Sequence, residues 1–255
     1  MESRDMSVMD HIVELRRRIV IVLVFFTIAL IAGFFLAAPM ITYLQSAPTA
    51  QNLPMNAFKM TDPIRIYMTF AFASALIMIF PVIMYQLWAF IRPGLHEHEQ
   101  KATLAYIPAA FLLFLTGIAF SYFILFPFII DFMGKLAERL GITEQYGINE
   151  YFSFLFQITL PFGVLFQLPV VVMFLTRLGL ITPEFLSSIR KLAYFVLLVI
   201  AGFITPPEVV SHLMVTLPLL LLYEFSIWVS RITYRKVEKA QRLLDEQLKE
   251  EQSNK

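Results

Sequence analysis

Apolar residues along this chain come in long blocks separated by short polar segments. The first block, Ile19 to Ala38, holds 20 residues without a charge. A helix rises 1.5 Å per residue, so about 20 residues cross a hydrocarbon core of roughly 30 Å. Further apolar runs occupy 66–90, 103–130, 152–176, 192–205 and 209–230. In hydrocarbon every backbone N–H and C=O must find a partner inside the segment, so runs of this length are read as helices. The pattern predicts an all-α membrane protein with six transmembrane helices. The first run is longer than the roughly 7–15 apolar residues of a cleavable secretion signal, and Pro39 and Pro48 follow it, so an uncut anchor is expected.

The fifth run differs from the others. Leu192 to Thr205 is 14 residues, about 21 Å of helix. Pro206 and Pro207 then follow. The residue before a proline is driven out of the helical region, while proline is tolerated at a helix start. Thr205-Pro206-Pro207-Glu208 therefore predicts a helix stop and a tight restart. So short a hairpin thins the bilayer or is sheltered by its neighbours. Prolines also stand within the runs at 81, 108, 127, 161, 169 and 218. Each removes a backbone hydrogen bond and favours a kink.

Composition supports the membrane class. The chain has 255 residues, 58% of them hydrophobic, and 15% charged, against about 25% charged in soluble domains. Net charge is +1, which suggests no polyelectrolyte partner such as nucleic acid. There are no cysteines, so disulfides and thiol chemistry are excluded. Charge placement says more than the total. Sixteen of the 20 Lys and Arg lie before the first run, in 91–102, in 177–191 or beyond 230; four lie in the alternate loops. The positive-inside rule then places both termini in the cytoplasm, as an even number of spans requires. Residues 1–234 read as a single transmembrane domain and 235–255 as a charged cytoplasmic tail, the tail continuing the last helix.

Several chemistries are missing. There is no G-x-x-x-x-G-K-[ST], no H-E-x-x-H and no G-x-S-x-G. His96-Glu97-His98-Glu99 alternates within a short loop with no third ligand spaced to join it, so no metal site is expected. Neither a cofactor nor catalysis is expected.

A few polar residues stand out against this background. Glu224 lies within the last run, where a central acid costs roughly 2.5–3.5 kcal/mol on insertion scales. It either faces a partner or wet cavity, or sits near the interface bonded to Ser or Tyr. Gln157 and Gln167 are mid-run amides of the kind that bond neighbouring helices. Glu14 stands immediately before Leu15, Arg16, Arg17 and Arg18. A helix-surface pair with Arg17 or Arg18 accounts for it locally, at about 0.2–0.5 kcal/mol. Glu99 is a second acid on the same side of the membrane. Two such carboxylates suit two guanidinium groups, whose planar fork bonds carboxylate bidentately.

These residues fall in a recognisable series: DHIVELRRR from residue 10, SAP at 46–48, YQLWAFIRPGLHEHE at 85–99, FSYFILFP at 120–127, FQLPV at 166–170, GLITPE at 179–184, TPPEV at 205–209 and YEFSIWVSR at 223–231. In this series the chain resembles TatC, the core subunit of the twin-arginine protein translocase, over about residues 7–234. The resemblance implies a receptor for signal peptides with paired arginines, passing folded proteins across a prokaryotic plasma membrane on the proton-motive force. It implies six helices in a concave, glove-like wall with short fifth and sixth helices. It also implies small single-span partners of the TatA/TatB type and assembly of several copies in a larger complex. Glu14 and Glu99 match the acids that contact the paired arginines. Leu15, Arg16, Arg17, Phe90, Pro93 and Leu95 match positions shaping the same site. Pro48 and Asp62-Pro63 match the first external loop, Phe120 and Pro127 the third span, and Pro206, Pro207 and Glu208 the last external turn. Partner docking is implied around the fifth and sixth spans, with Gln167 and Glu224 as groove residues. Many members carry Glu where this chain has Gln167, which can hydrogen-bond but cannot titrate. The competing reading is a small-solute secondary transporter, which would call for internal repeats and midplane ion-coupling charges.

Overall fold

The computed structural model describes residues 8–50, 55–92, 100, 103–104, 106–143, 145–205 and 209–253; the side chains of 8, 10 and 11 and of those beyond 239 are outside that description. The chain divides into two compact units, Met1–Leu160 and Pro161–Lys255.

In the first unit, α1 (Val8–Gln45) and α2 (Asp62–Ile91) lie side by side. Gly33 makes this approach possible: a Cβ there would strike the carbonyl oxygen of Ala71. Phe34 and Tyr67 pack edge to face at 4.7 Å, as do Phe26 and Phe72 at 5.5 Å. The turn at 46–50, containing Pro48, ends α1. Before α2, the fully buried Asp62 accepts backbone N–H bonds from Phe58 (3.0 Å) and Lys59 (2.8 Å), fastening the incoming chain to the helix start.

The third apolar run forms α3 (Tyr106–Phe120), a π-helical turn at Ser121–Leu125, and α4 (Phe126–Leu140). Pro127 has no N–H to donate, and the wider turn, with Phe126 N–H bonded to the Ser121 carbonyl, sits directly before it. Gly141, at φ 66°, ends α4 in the left-handed conformation that glycine adopts freely. Helix α5 (Ile148–Leu165) begins in this unit. Phe70 of α2 meets Phe152 and Phe156 of α5 edge to face at 4.9 Å, and Phe80 stacks on Phe114 of α3 at 3.9 Å. Two short segments, β1 (Met55–Asn56) and β2 (Tyr146–Gly147), pair in parallel, Met55 with Tyr146 and Asn56 with Gly147. The hydrophobic pattern gave no sign of this pair.

In the second unit, α5 stops at a turn over Phe166 and Gln167, and α6 (Leu168–Arg177) follows. The run at 152–176 is thus interrupted, because Pro169 in the first turn of α6 cannot donate back into α5. GLITPE is a stop and a start. Gly179, at φ 71°, closes α6, and Thr182 caps α7 (Pro183–Ser188) by accepting from Phe185 N–H at 3.2 Å. Helices α8 (Arg190–Ile204) and α9 (Val209–Ser253) complete the unit. Helix α9 buries a stripe at Val215, Leu219, Tyr223, Ile227 and Ser230, spaced three to four residues apart. Ser230 meets Thr176 of α6 at 2.7 Å, and Tyr223 donates to the Leu186 carbonyl of α7 at 2.9 Å.

Among the described residues five helical stretches are long and apolar enough to cross a membrane: Ile12–Gln45, Asp62–Ile91, Tyr106–Leu140, Ile148–Arg177 and Val209–Lys239. These contain the expected spans at 19–38, 66–90, 152–176 and 209–230, and overlap the one at 103–130 from Tyr106 onward. The remaining expected span is α8, whose 15 residues measure about 22 Å. Helix α9 is 45 residues long and carries the charged tail as one continuous helix with the last apolar run.

Candidate functional site

The α-helical pitch places Glu14 and Arg18 on one face of α1, four residues apart. Arg18 Nη2 donates to Glu14 Oε1 at 3.1 Å. Arg18 Nη1 donates to Gln86 Oε1 on α2 at 3.0 Å. The Glu14 side chain is 17% exposed and that of Arg18 27%, while Gln86 is buried. The three form a partly shielded chain of charge-assisted hydrogen bonds between the two helices. Glu14 Oε2 and Arg18 Nε are shielded from solvent and have no hydrogen-bond partner among the described residues. Of the two arginines within helical reach of Glu14, the fold selects Arg18. Leu15, Arg16 and Arg17 lie on the exposed side of α1. Phe90 is half-buried on α2, one turn beyond Gln86. Glu99, Pro93 and Leu95 lie outside the described residues.

The two ends of the segment carrying Glu99 are described. Arg92 Nε donates to Gln100 Oε1 at 2.9 Å, and Gln100 Nε2 to the Arg92 carbonyl at 3.4 Å. The Arg92 guanidinium stands 5.5 Å from the centre of the Trp88 ring, and Trp88 Nε1 donates to Thr103 Oγ1 at 3.0 Å. Residues 92 and 100 are therefore fastened to each other. Sequence reasoning passed over Gln86. Its signal was an uncharged amide in an apolar run, four residues before Phe90, where a buried polar side chain needs a partner.

Glu224 belongs to a second cluster. Arg190 Nε donates to its Oε1 at 2.8 Å and Arg190 Nη2 to its Oε2 at 3.0 Å, a forked pair. Tyr194 OH donates to Oε1 at 2.5 Å. These bonds join α8 to α9. Gln167 is buried in the turn that opens α6. Pro48 is exposed in the turn after α1, and Phe120 and Pro127 flank the π-helical turn. Pro206, Pro207 and Glu208 lie outside the described residues. Among the described residues no group of three His, Cys, Asp or Glu could hold a metal ion.

The family model described as Sec-independent protein translocase protein (TatC) matches residues 10–218. A Sec-independent protein translocase protein TatC from Halalkalibacterium halodurans is 75% identical over 252 residues, covering 99% of this chain and 100% of that relative. The TatCy protein of Bacillus subtilis is 57% identical over 94% of each chain. A crystal structure of a twin-arginine translocase receptor, TatC, superposes with a TM-score of 0.79 at 33% identity, covering 88% of this chain and 99% of the other.

Proposed function

The chain belongs to the TatC family of Sec-independent protein translocase proteins, and from that premise we propose that it is the signal-peptide receptor of a twin-arginine translocase. Glu14 and Glu99 receive the paired arginines of the signal peptide, with Leu15, Arg16, Arg17, Phe90, Pro93 and Leu95 around them. The observation that carries this reading is the Glu14 carboxylate. It is largely shielded, it already holds one guanidinium, and its second oxygen has no donor among the described residues. Guanidinium recognition is thus a chemistry that this position supports, and bonds to charged groups are worth roughly 1.5–3 kcal/mol when shielded.

In this reading, residues 1–234 act as one transmembrane region of six spans forming a concave wall, in the plasma membrane of a prokaryote with both termini cytoplasmic. The family match runs continuously across the boundary between the two units, which supports a single functional region. Single-span TatA/TatB-type subunits dock around α8 and α9, near Gln167, Glu224 and the turn at Pro206, Pro207 and Glu208, with Pro48, Phe120 and Pro127 on further partner-facing positions. Several copies assemble in a larger complex, and the proton-motive force drives export of folded precursors. The test is export of a folded fluorescent reporter in cells whose only TatC-type subunit is this chain. A reporter with an Arg-Arg leader is exported, and the signal is lost with Lys-Lys, with Glu14→Ala plus Glu99→Ala, or on adding an uncoupler. Equal export of the two leaders, or undiminished export by the double variant, contradicts the reading.

A further inference from the structure

An arginine beside a carboxylate frequently closes on it with both prongs, because two parallel N–H···O bonds match the carboxylate fork. Arg190 does this to Glu224 in the same molecule. Arg18 does not do it to Glu14. One terminal nitrogen reaches Glu14 Oε1 at 3.1 Å, and the other is drawn away to Gln86 Oε1 at 3.0 Å. The guanidinium is stretched between two helices, and Glu14 Oε2 is left shielded and without a donor among the described residues. A shielded carboxylate oxygen without a donor is an unfavourable arrangement that a further donor relieves.

We propose that Gln86 is a positioning residue that keeps the Glu14 site open by holding one prong of Arg18 away from the carboxylate. Without Gln86 the internal arginine closes bidentately on Glu14 and competes with an incoming guanidinium for the same oxygens. With Gln86 in place, Arg18 fixes the carboxylate through Oε1 and leaves the shielded Oε2, which has no donor among the described residues, for the ligand's guanidinium to engage. The fixed geometry favours a planar guanidinium over the rounder, more strongly hydrated lysine ammonium. Gln86 suits the task because it is anchored on α2 and neutral. Its amide oxygen competes for one guanidinium nitrogen without adding a second local carboxylate that would bind the ligand itself.

This inference rests on the assignment of Glu14 to signal-peptide recognition. The test measures binding of a fluorescent Arg-Arg signal peptide to the full chain in nanodiscs, for wild type, Glu14→Ala, Gln86→Leu, and Gln86→Leu combined with Arg18→Met. Gln86→Leu weakens binding roughly tenfold, the scale of one charge-assisted hydrogen bond. Adding Arg18→Met restores it, because the competing guanidinium is gone. A role of Gln86 in helix packing alone predicts the opposite: the double variant binds no better than Gln86→Leu. Unchanged binding by Gln86→Leu, or no restoration by Arg18→Met, overturns the inference while loss of binding in Glu14→Ala leaves the Glu14 assignment standing. Unchanged binding in Glu14→Ala overturns both.

Discussion

Of the three acids that stood out in the sequence, Glu14 and Glu224 are among the described residues, and their surroundings separate them. Glu224 receives three donors, two from Arg190 and one from Tyr194, and its carboxylate has both oxygens engaged. Among the described residues Glu14 receives one donor, on one oxygen. A fully engaged carboxylate is suited to holding helices together, and a half-engaged one is suited to binding. Glu224→Ala should therefore lower stability by about 1 kcal/mol, a value discounted because both side chains are more than a third exposed. In a double-mutant cycle of thermal unfolding in detergent, Arg190→Ala should add little on top of Glu224→Ala. Additive losses would show that the two residues do not act as a pair. From sequence, the choice between a structural and a functional Glu224 could not be made, since Arg190 and Tyr194 lie 34 and 30 residues away and only the packing of α8 on α9 brings them near. Glu14 was easier to single out, because its arginine partner is one helical turn away. Gln86 was not legible for the same reason as Arg190: its contact spans 68 residues.

At the scale of elements, the apolar blocks located the long helices because a bilayer leaves few alternatives to a helix. Ends and interruptions were less legible. The π-helical turn before Pro127 and the break at Phe166–Gln167 follow from prolines, yet proline shows only that a bond is missing and not how the helix adapts. The β1–β2 pair joins two-residue segments about 90 positions apart, too short for any periodicity to register. Helix α8 poses the sharpest question. Without it, the five longer helices would carry the chain to the face opposite its start. Yet 16 of the 20 Lys and Arg fall in the first, third, fifth and last inter-span segments, counted with α8 as a span, which demands that both ends share a side. The prediction is that α8 crosses. The chain has no cysteine, so single cysteines report cleanly. Met60→Cys, in a fully exposed position before α2, should react with an impermeant maleimide from outside the cell. Lys249→Cys should react only after the membrane is opened. Labelling of Lys249→Cys from outside would mean that α8 does not cross.

At the scale of the whole molecule, the order of motifs from DHIVELRRR to YEFSIWVSR was enough to indicate the TatC family, and the family match and the receptor-like crystal structure agree with it. What the motifs could not indicate was the division into two compact units, with the Glu14 network in the first and the Glu224 cluster in the second. The proposed roles follow that division in part, with peptide recognition resting on α1 and α2 and partner docking chiefly on α8 and α9, while the partner-facing Pro48, Phe120 and Pro127 belong to the first unit. The claim on which the rest depends is that Glu14, with Glu99, reads paired arginines. The measurement that tests it most directly is the affinity of a fluorescent signal peptide for the purified protein in nanodiscs, with Arg-Arg compared with Lys-Lys, in wild type and in Glu14→Ala plus Glu99→Ala. The account predicts that wild type binds the Arg-Arg peptide about tenfold more tightly, on the scale of one or two charge-assisted bonds discounted for the interface, and that the double variant loses this preference. Equal affinity for the two peptides in wild type, or a preference that survives in the double variant, would contradict it.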